Sequence, residues 1–337
     1  MESNKILKNI PLIFLLSLTI FFSACSSKKL YEPNVVAGDW QNYGENNATI
    51  VAVASNTALL DNGEVLTQEG RVTLNLEDSF RVLSKSDGWI ISANIDGNLS
   101  LQYIADESMQ EKFELKKTIA TASVKDDILA VLFADNEMAL YSIATKDLIF
   151  KEKGSAQKII DSRVVNPYFM NDLVLFFTLD GKIVIISSKV KKRLRTVIVS
   201  SEDNFNNIIY SKIVDNKIVA ATGHKILSMG EKEIRAKYEL RNLIEVNETI
   251  YLTTKQGELI SLTPDLQVNK KVKFPFAHFL GMIEHNNKIY LLEKAGYLIE
   301  MSKDLLEYKV YEVDLEDGYV FIANKKFYID DQFLSVE

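Results

Sequence analysis

Cysteine occurs once in this chain, histidine three times and tryptophan twice, and each shortage removes a class of explanation. With only Cys25 there is no partner for an intrachain disulfide, so burial alone must hold the fold, even in an oxidising compartment. The histidines His224, His278 and His285 do not stand in a metal-ligand spacing such as His-x-x-x-His, and turn or surface positions account for all three. Positive charge is in deficit, with 39 basic against 46 acidic residues. That balance argues against nucleic acid as a partner, because a polyanion selects a positive surface. Beyond the N-terminal segment no apolar run approaches the ~20 residues of a membrane-spanning helix.

What is present begins at the N-terminus. Lys5 and Lys8 precede an apolar run from Ile10 to Phe22, broken only by Pro11, Ser17 and Thr19, and Phe22-Ser23-Ala24-Cys25 ends it. Small residues at Ser23 and Ala24 suit a peptidase site, and the only thiol follows them. The segment resembles the signal and lipobox of bacterial lipoproteins, with Phe22 where leucine is usual. Residues 1–24 are therefore expected to be a signal peptide and Cys25 to carry a diacylglycerol. Ser26 rather than aspartate at the next position leans towards outer-membrane sorting, facing the periplasm. Polar residues 25–46, with Pro33 and Gly38, read as a flexible tether, and residues 47–337 as the folded domain.

That domain has almost no helical periodicity. Short runs rich in Ile, Val, Leu, Phe and Tyr alternate with turn residues, and one unit returns: an apolar strand, a turn with Gly or Asn, then an alternating strand. Trp89–Ala93 to Asn98–Leu101, Ile128–Leu132 to Glu137–Tyr141 and Leu173–Phe177 to Lys182–Ile185 show it well. The turn glycines Gly63, Gly97, Gly181, Gly223, Gly257 and Gly296 are 34, 84, 42, 34 and 39 residues apart, and Asn136 falls in the long gap. A period near ~40 with tight hairpins predicts an all-β propeller of four-stranded blades, eight or alternatively seven of them. Paired β-sandwiches space their strands regularly too, but do not repeat one such unit from end to end.

The unit of apolar strand, Asp-Gly, then alternating Leu or Ile resembles the repeat of quinoprotein-type propellers, whose PQQ-type members are enzymes. A lipid-anchored eight-bladed version is similar to the BamB family, scaffold lipoproteins of the outer-membrane β-barrel assembly machinery. That repeat usually closes on a tryptophan; Phe150, Tyr238 and Tyr308 are candidates for the slot here. An enzyme of the class would imply a quinone and calcium held by acids and amides, and in some members a vicinal cysteine pair. One cysteine forbids that pair, and the acidic pairs Asp126-Asp127, Glu202-Asp203 and Asp330-Asp331 read as loop caps. No catalytic residue, cofactor or metal is expected.

Three further patterns stand out. Lys189-Val190-Lys191-Lys192-Arg193-Leu194-Arg195 concentrates five positive charges, a candidate for an acidic partner or lipid phosphates, or an edge strand blunted against aggregation. Asn47, Asn98 and Asn247 open the Asn-x-Ser/Thr triplets, each with an acidic residue two positions earlier. This resembles the extended acceptor motif of bacterial N-glycosylation. Tyr168, Phe169, Phe276 and Phe279, in two aromatic Pro-containing segments, are candidates for partner binding, with packing between blades as the alternative. The expected function is a non-enzymatic scaffold binding other envelope proteins, the β-barrel assembly machinery among them, and attached to the membrane through its lipid. A quinoprotein-related ligand-binding propeller and a surface-exposed binder are the alternatives.

Overall fold

The structure, a computed structural model, describes residues 29–337 except 75, 78, 158 and 315. Residues 1–24, expected to be a signal peptide, and Cys25 lie outside the described residues. Those described form strands and turns without a helix, so none is long and apolar enough to cross a membrane. The strands assemble into eight sheets, each an up-and-down meander of neighbouring antiparallel strands. Blade 1 spans residues 50–73, blade 2 81–114, blade 3 119–153 and blade 4 168–198. Blades 5 to 8 span 210–237, 240–273, 279–312 and 320–335. The protein is an all-β propeller of eight blades, which closes the alternative of seven.

In blades 2 to 7 the repeat seen in the sequence falls on the second and third strands, such as Ile128–Phe133 and Glu137–Ser142. These strands are covered on both faces by neighbouring blades and so read as continuous apolar runs. The end copies are shifted by one strand. In blade 1 the hairpin at Asn62-Gly63 joins Thr57–Leu60, not Ile50–Val53, to Glu64–Thr67. In blade 8 the unit covers the first two strands, Val320–Ala323 and Lys326–Ile329. The core consists of clusters between blades. Leu83, Ile91 and Leu101 of blade 2, for example, pack with Ala122, Leu129, Val131 and Phe133 of blade 3. A single blade therefore buries little by itself. Phe150 and Tyr238 lie partly buried against such clusters, while Tyr308 stays half exposed with its ring 5.2 Å from that of Phe274.

One hydrogen bond recurs around the ring. The carbonyl of the hairpin turn accepts the N–H of a residue just after the outer strand: Leu115 to Gly97 at 2.9 Å, Phe274 to Gly257 at 2.7 Å and Val313 to Gly296 at 3.0 Å. Asn136 does the same for Gly154 at 2.9 Å, with a φ of 65°. These turns keep Gly or Asn because they need positive φ, which both supply cheaply. At Gly257, φ is 75° and an added Cβ would sit 2.2 Å from the Phe274 carbonyl oxygen.

The ring closes through the segment expected to be a tether. Tyr43–Glu45 pairs antiparallel with Gln332–Ser335 as the outer strand of blade 8, and Gly38–Asp39 adds a parallel fifth strand to blade 7. Gly44 is needed there, since a Cβ would meet the Phe333 ring at 2.2 Å. Trp40 packs edge-on to Tyr311, centroids 5.1 Å apart, and its indole N–H donates to the Ser335 carbonyl at 3.1 Å. Tyr31 is only 5% exposed. The polar composition of the described residues 29–46 thus differs from their fate: short strands bonded through the backbone need few apolar side chains. Two substitutions test these joints. Gly257→Ala should cost about 2 kcal/mol through backbone strain. Trp40→Ala should cost about 2 kcal/mol or more, below the ~3–5 of a fully buried tryptophan. Urea unfolding followed by circular dichroism reads both.

Candidate functional site

The first strand of each blade lines a central channel, and strand alternation gives the channel two unlike mouths. One mouth carries the connections between blades, the other the turns between first and second strands. At the connection mouth, residues 159–167, between blades 3 and 4, cross the channel. The Phe205 N–H donates to the Ile159 carbonyl at 3.0 Å, and the Asp161 N–H to Asn207 Oδ1 at 2.7 Å. The Asn207 amide donates back to the carbonyls of Asp161 and Arg163 at 3.1 and 2.7 Å. Arg163 reaches the Arg241 carbonyl in blade 6, and Asn166 reaches Asn56 in blade 1 at 3.4 Å. Burial alone would raise the Asp161 carboxyl, but the hydrogen bond and charge of Arg163 hold it below its ordinary range.

The opposite mouth is an open cleft of about 640 Å³ between blades 5 to 8, with Gln68 of blade 1 on its wall. Its lining mixes signs and apolar surface: Lys212 bridges Glu245 at 3.0 Å, and Met282 and Ile322 lie beside them. The Tyr210 hydroxyl on this wall is buried without a partner, and burial first, then the Glu245 charge, pushes it well up. It stays protonated, a neutral hydroxyl able to donate or accept one hydrogen bond. Lys212 and Glu245 satisfy each other, so the cleft suits an amphipathic protein segment or small ligand in size and lining.

The four aromatic residues singled out from the sequence do not converge. Tyr168 and Phe169 belong to the first strand of blade 4; Tyr168 is 45% exposed, while Phe169 packs between blades 3 and 4. Phe276 stands 58% exposed on the connection from blade 6 to blade 7, with Lys29 Nζ 5.5 Å from its ring centroid. Phe279 is a correction: at 1% exposure it is core between blades 6 and 7, because it starts the first strand of blade 7 and packs against residues of blade 6 such as Tyr251 and Leu259. The basic run forms the turn and exposed outer strand of blade 4, where Arg193 pairs with Glu152 of blade 3 and Arg195 with Glu233 of blade 5. Asp127 caps a turn, accepting from Ser142 Oγ and the Ala144 N–H, both at 2.7 Å. Glu316, Asp330 and Asp331 form an acidic trio in which hydrogen bonding to Asp330 and the Asp331 charge raise Glu316.

Asn47 and Asn247 are exposed in turns at φ 55° and 47°, whereas Asn98 is half buried at the start of a strand. Asn247 stands on the lip of the open cleft. Sequence reasoning missed the channel plug; its only signal was the length of the 154–167 connection. It missed Glu293 as well, a 1%-exposed carboxylate that accepts from the His278 and Ala295 N–H groups at 2.8 and 2.6 Å.

No protein-family model matches the chain. In an alignment of 317 positions that covers 80% of the chain it is 30% identical to the plasminogen-binding protein PgbB of Helicobacter pylori strain J99. Identity to PgbB of strain 26695 is 29% over 315 residues. The chain spans 58% of the length of these curated relatives. Among solved structures it superposes on BamB from Moraxella catarrhalis with a TM-score of 0.65 and 13% identity, covering 87% of this chain and 98% of that one. The structural likeness supports the fold class, an eight-bladed propeller similar to BamB.

Glu293 yields a pH prediction. Burial raises its carboxyl despite the hydrogen bonds it accepts, so the folded state binds its proton more tightly than the unfolded chain does. Its contribution is therefore full below the unfolded carboxylate range, about 4.3, and is lost as pH rises through the folded value. Glu293→Gln has no such charge to bury. Relative to wild type it should gain stability between about pH 4 and pH 7. Urea midpoints at the two pH values measure the difference, and a constant gap would refute it.

Proposed function

We propose that this protein is a non-catalytic lipoprotein whose propeller binds other proteins of, or at, the bacterial envelope. The observation that carries the reading is the 30% identity, along 80% of the chain, to proteins named for binding another protein. The open cleft of mixed charge and the BamB-like ring support it, since both offer broad surface rather than a closed reaction chamber. Cys25 is the lipid attachment point, and the outer membrane the anchoring layer, on the strength of the lipobox and Ser26.

Two partner classes follow. Resemblance to BamB favours the β-barrel assembly machinery, met in the periplasm. The relatives' name favours a soluble protein ligand of the plasminogen kind, met at the cell surface, and because it rests on sequence identity it is the stronger of the two. Crosslinking in intact cells of the native host, then mass spectrometry of what purifies with the lipidated chain, reads the first. Saturable binding of the purified protein to immobilised plasminogen reads the second. Failure to capture any protein in both assays would end the binding function.

The acceptor asparagines are sites of glycan attachment in a host that carries the transferase. Exposure ranks them: Asn47 and Asn247 should be occupied more fully than Asn98. Intact mass of the protein from its native host, with each asparagine changed to glutamine in turn, measures occupancy. A mass equal to chain plus lipid would remove the modification.

A further inference from the structure

We propose that the propeller stands on its rim against the membrane, touching lipid along the outer edge where blades 6 and 7 meet. The inference rests on the lipidation of Cys25 proposed above and adds how the lipid orients the ring. Its first support is the position at which the chain becomes fixed. Tyr31, 5% exposed, is clamped edge-on by Phe274 at 6.0 Å and Tyr297 at 5.7 Å, between the outer parts of blades 6 and 7. From there the chain follows the outer strand of blade 7, with the Ala37 N–H on the Val310 carbonyl at 2.7 Å, and closes the ring at Tyr43–Glu45. From Tyr31 onward the chain is thus tied to the propeller. Four residue steps separate Cys25 from Lys29, a reach of at most about 14 Å. A lipid on Cys25 lies in the membrane, so this rim cannot leave the headgroup zone by more than that reach.

The second support is the surface found there. Leu30, Phe276 and Tyr308 are 66, 58 and 50% exposed. Phe276 holds a φ of 67°, rare for a bulky residue, and its ring meets solvent and the Lys29 ammonium. Lys29 and Lys273 are exposed and form no ion pair among the described residues, and Lys270 is exposed on the same outer strand. Aromatic and aliphatic side chains beside lysines match the interface of an anionic bilayer: the rings enter the headgroup layer and the ammonium groups meet phosphate. With the rim down, the channel axis lies along the membrane plane. Both channel mouths then face sideways, free for protein partners.

The test uses the full chain, processed by the lipoprotein pathway and reconstituted in vesicles of phosphatidylethanolamine and phosphatidylglycerol. Lipid on Cys25 blocks the natural thiol, so Phe276→Cys takes a single fluorophore, as does Met109→Cys on the opposite rim, in blade 2. Leu30→Cys is a second reporter near the patch. Spin-labelled lipid should quench the labels at 276 and 30 several-fold more than the label at 109. Equal quenching at all three overturns the proposal while leaving lipidation intact. If the wild-type chain, denatured, takes a maleimide at Cys25, the lipidation reading falls and this proposal with it.

Discussion

Everything in this fold depends on one backbone pairing, between Tyr43–Glu45 and Gln332–Ser335. Propeller blades bury their faces only against each other, so a ring with a free edge would leave apolar strands of blades 1 and 8 exposed. The N-terminal strand removes that edge by becoming the fourth strand of the last blade. It binds by hydrogen bonds more than by side chains, and for that reason Gly44 can lie under the Phe333 ring and Trp40 alone carries most of the apolar weight. Closure joins residues nearly the whole chain apart. Cooperativity follows, since opening this joint exposes two blades at once.

Within the ring, a second economy repeats. In blades 2, 3, 4, 6 and 7 the hairpin turn accepts a bond from the chain as it leaves the outer strand, and the accepting residue, Gly97, Asn136, Gly181, Gly257 or Gly296, has positive φ. Gly257 and Asn136 satisfy the same requirement with different chemistry. The connections carry the individuality. Residues 159–167 cross one mouth of the channel, held there by Asn207 and the Arg241 carbonyl, and Asn166 reaches deeper to Asn56 in a first-to-second-strand turn, while the other mouth stays open between blades 5 and 8. The two mouths are therefore unlike: a plugged one, and an open one with Asn247 on its lip.

These features support the proposed binding role. The chain's likeness to PgbB covers most of the propeller but 58% of the relatives' length, so what the relatives bind is a proposal for this chain. A ring pinned to lipid by Tyr31 and its aromatic neighbours would present both mouths laterally.

The sequence alone determined the strand type, the repeat and the near-even spacing of the hairpins. Those features are local: period-two patterning and the φ demand of a turn are written in adjacent residues. Eight blades emerged from seven or eight only when the N-terminal strand was placed on the last blade. The same placement converted residues 38–45 from tether to sheet. Phe279 went from candidate partner contact to core, and Phe276, three residues earlier, stayed exposed, although both lie in one aromatic segment. The plug, the open cleft and the patch around Phe276 were illegible for the same reason. Each is made of residues from different blades, such as Asn56 with Asn166, or Lys29 with Phe276, and only closure of the ring brings them together.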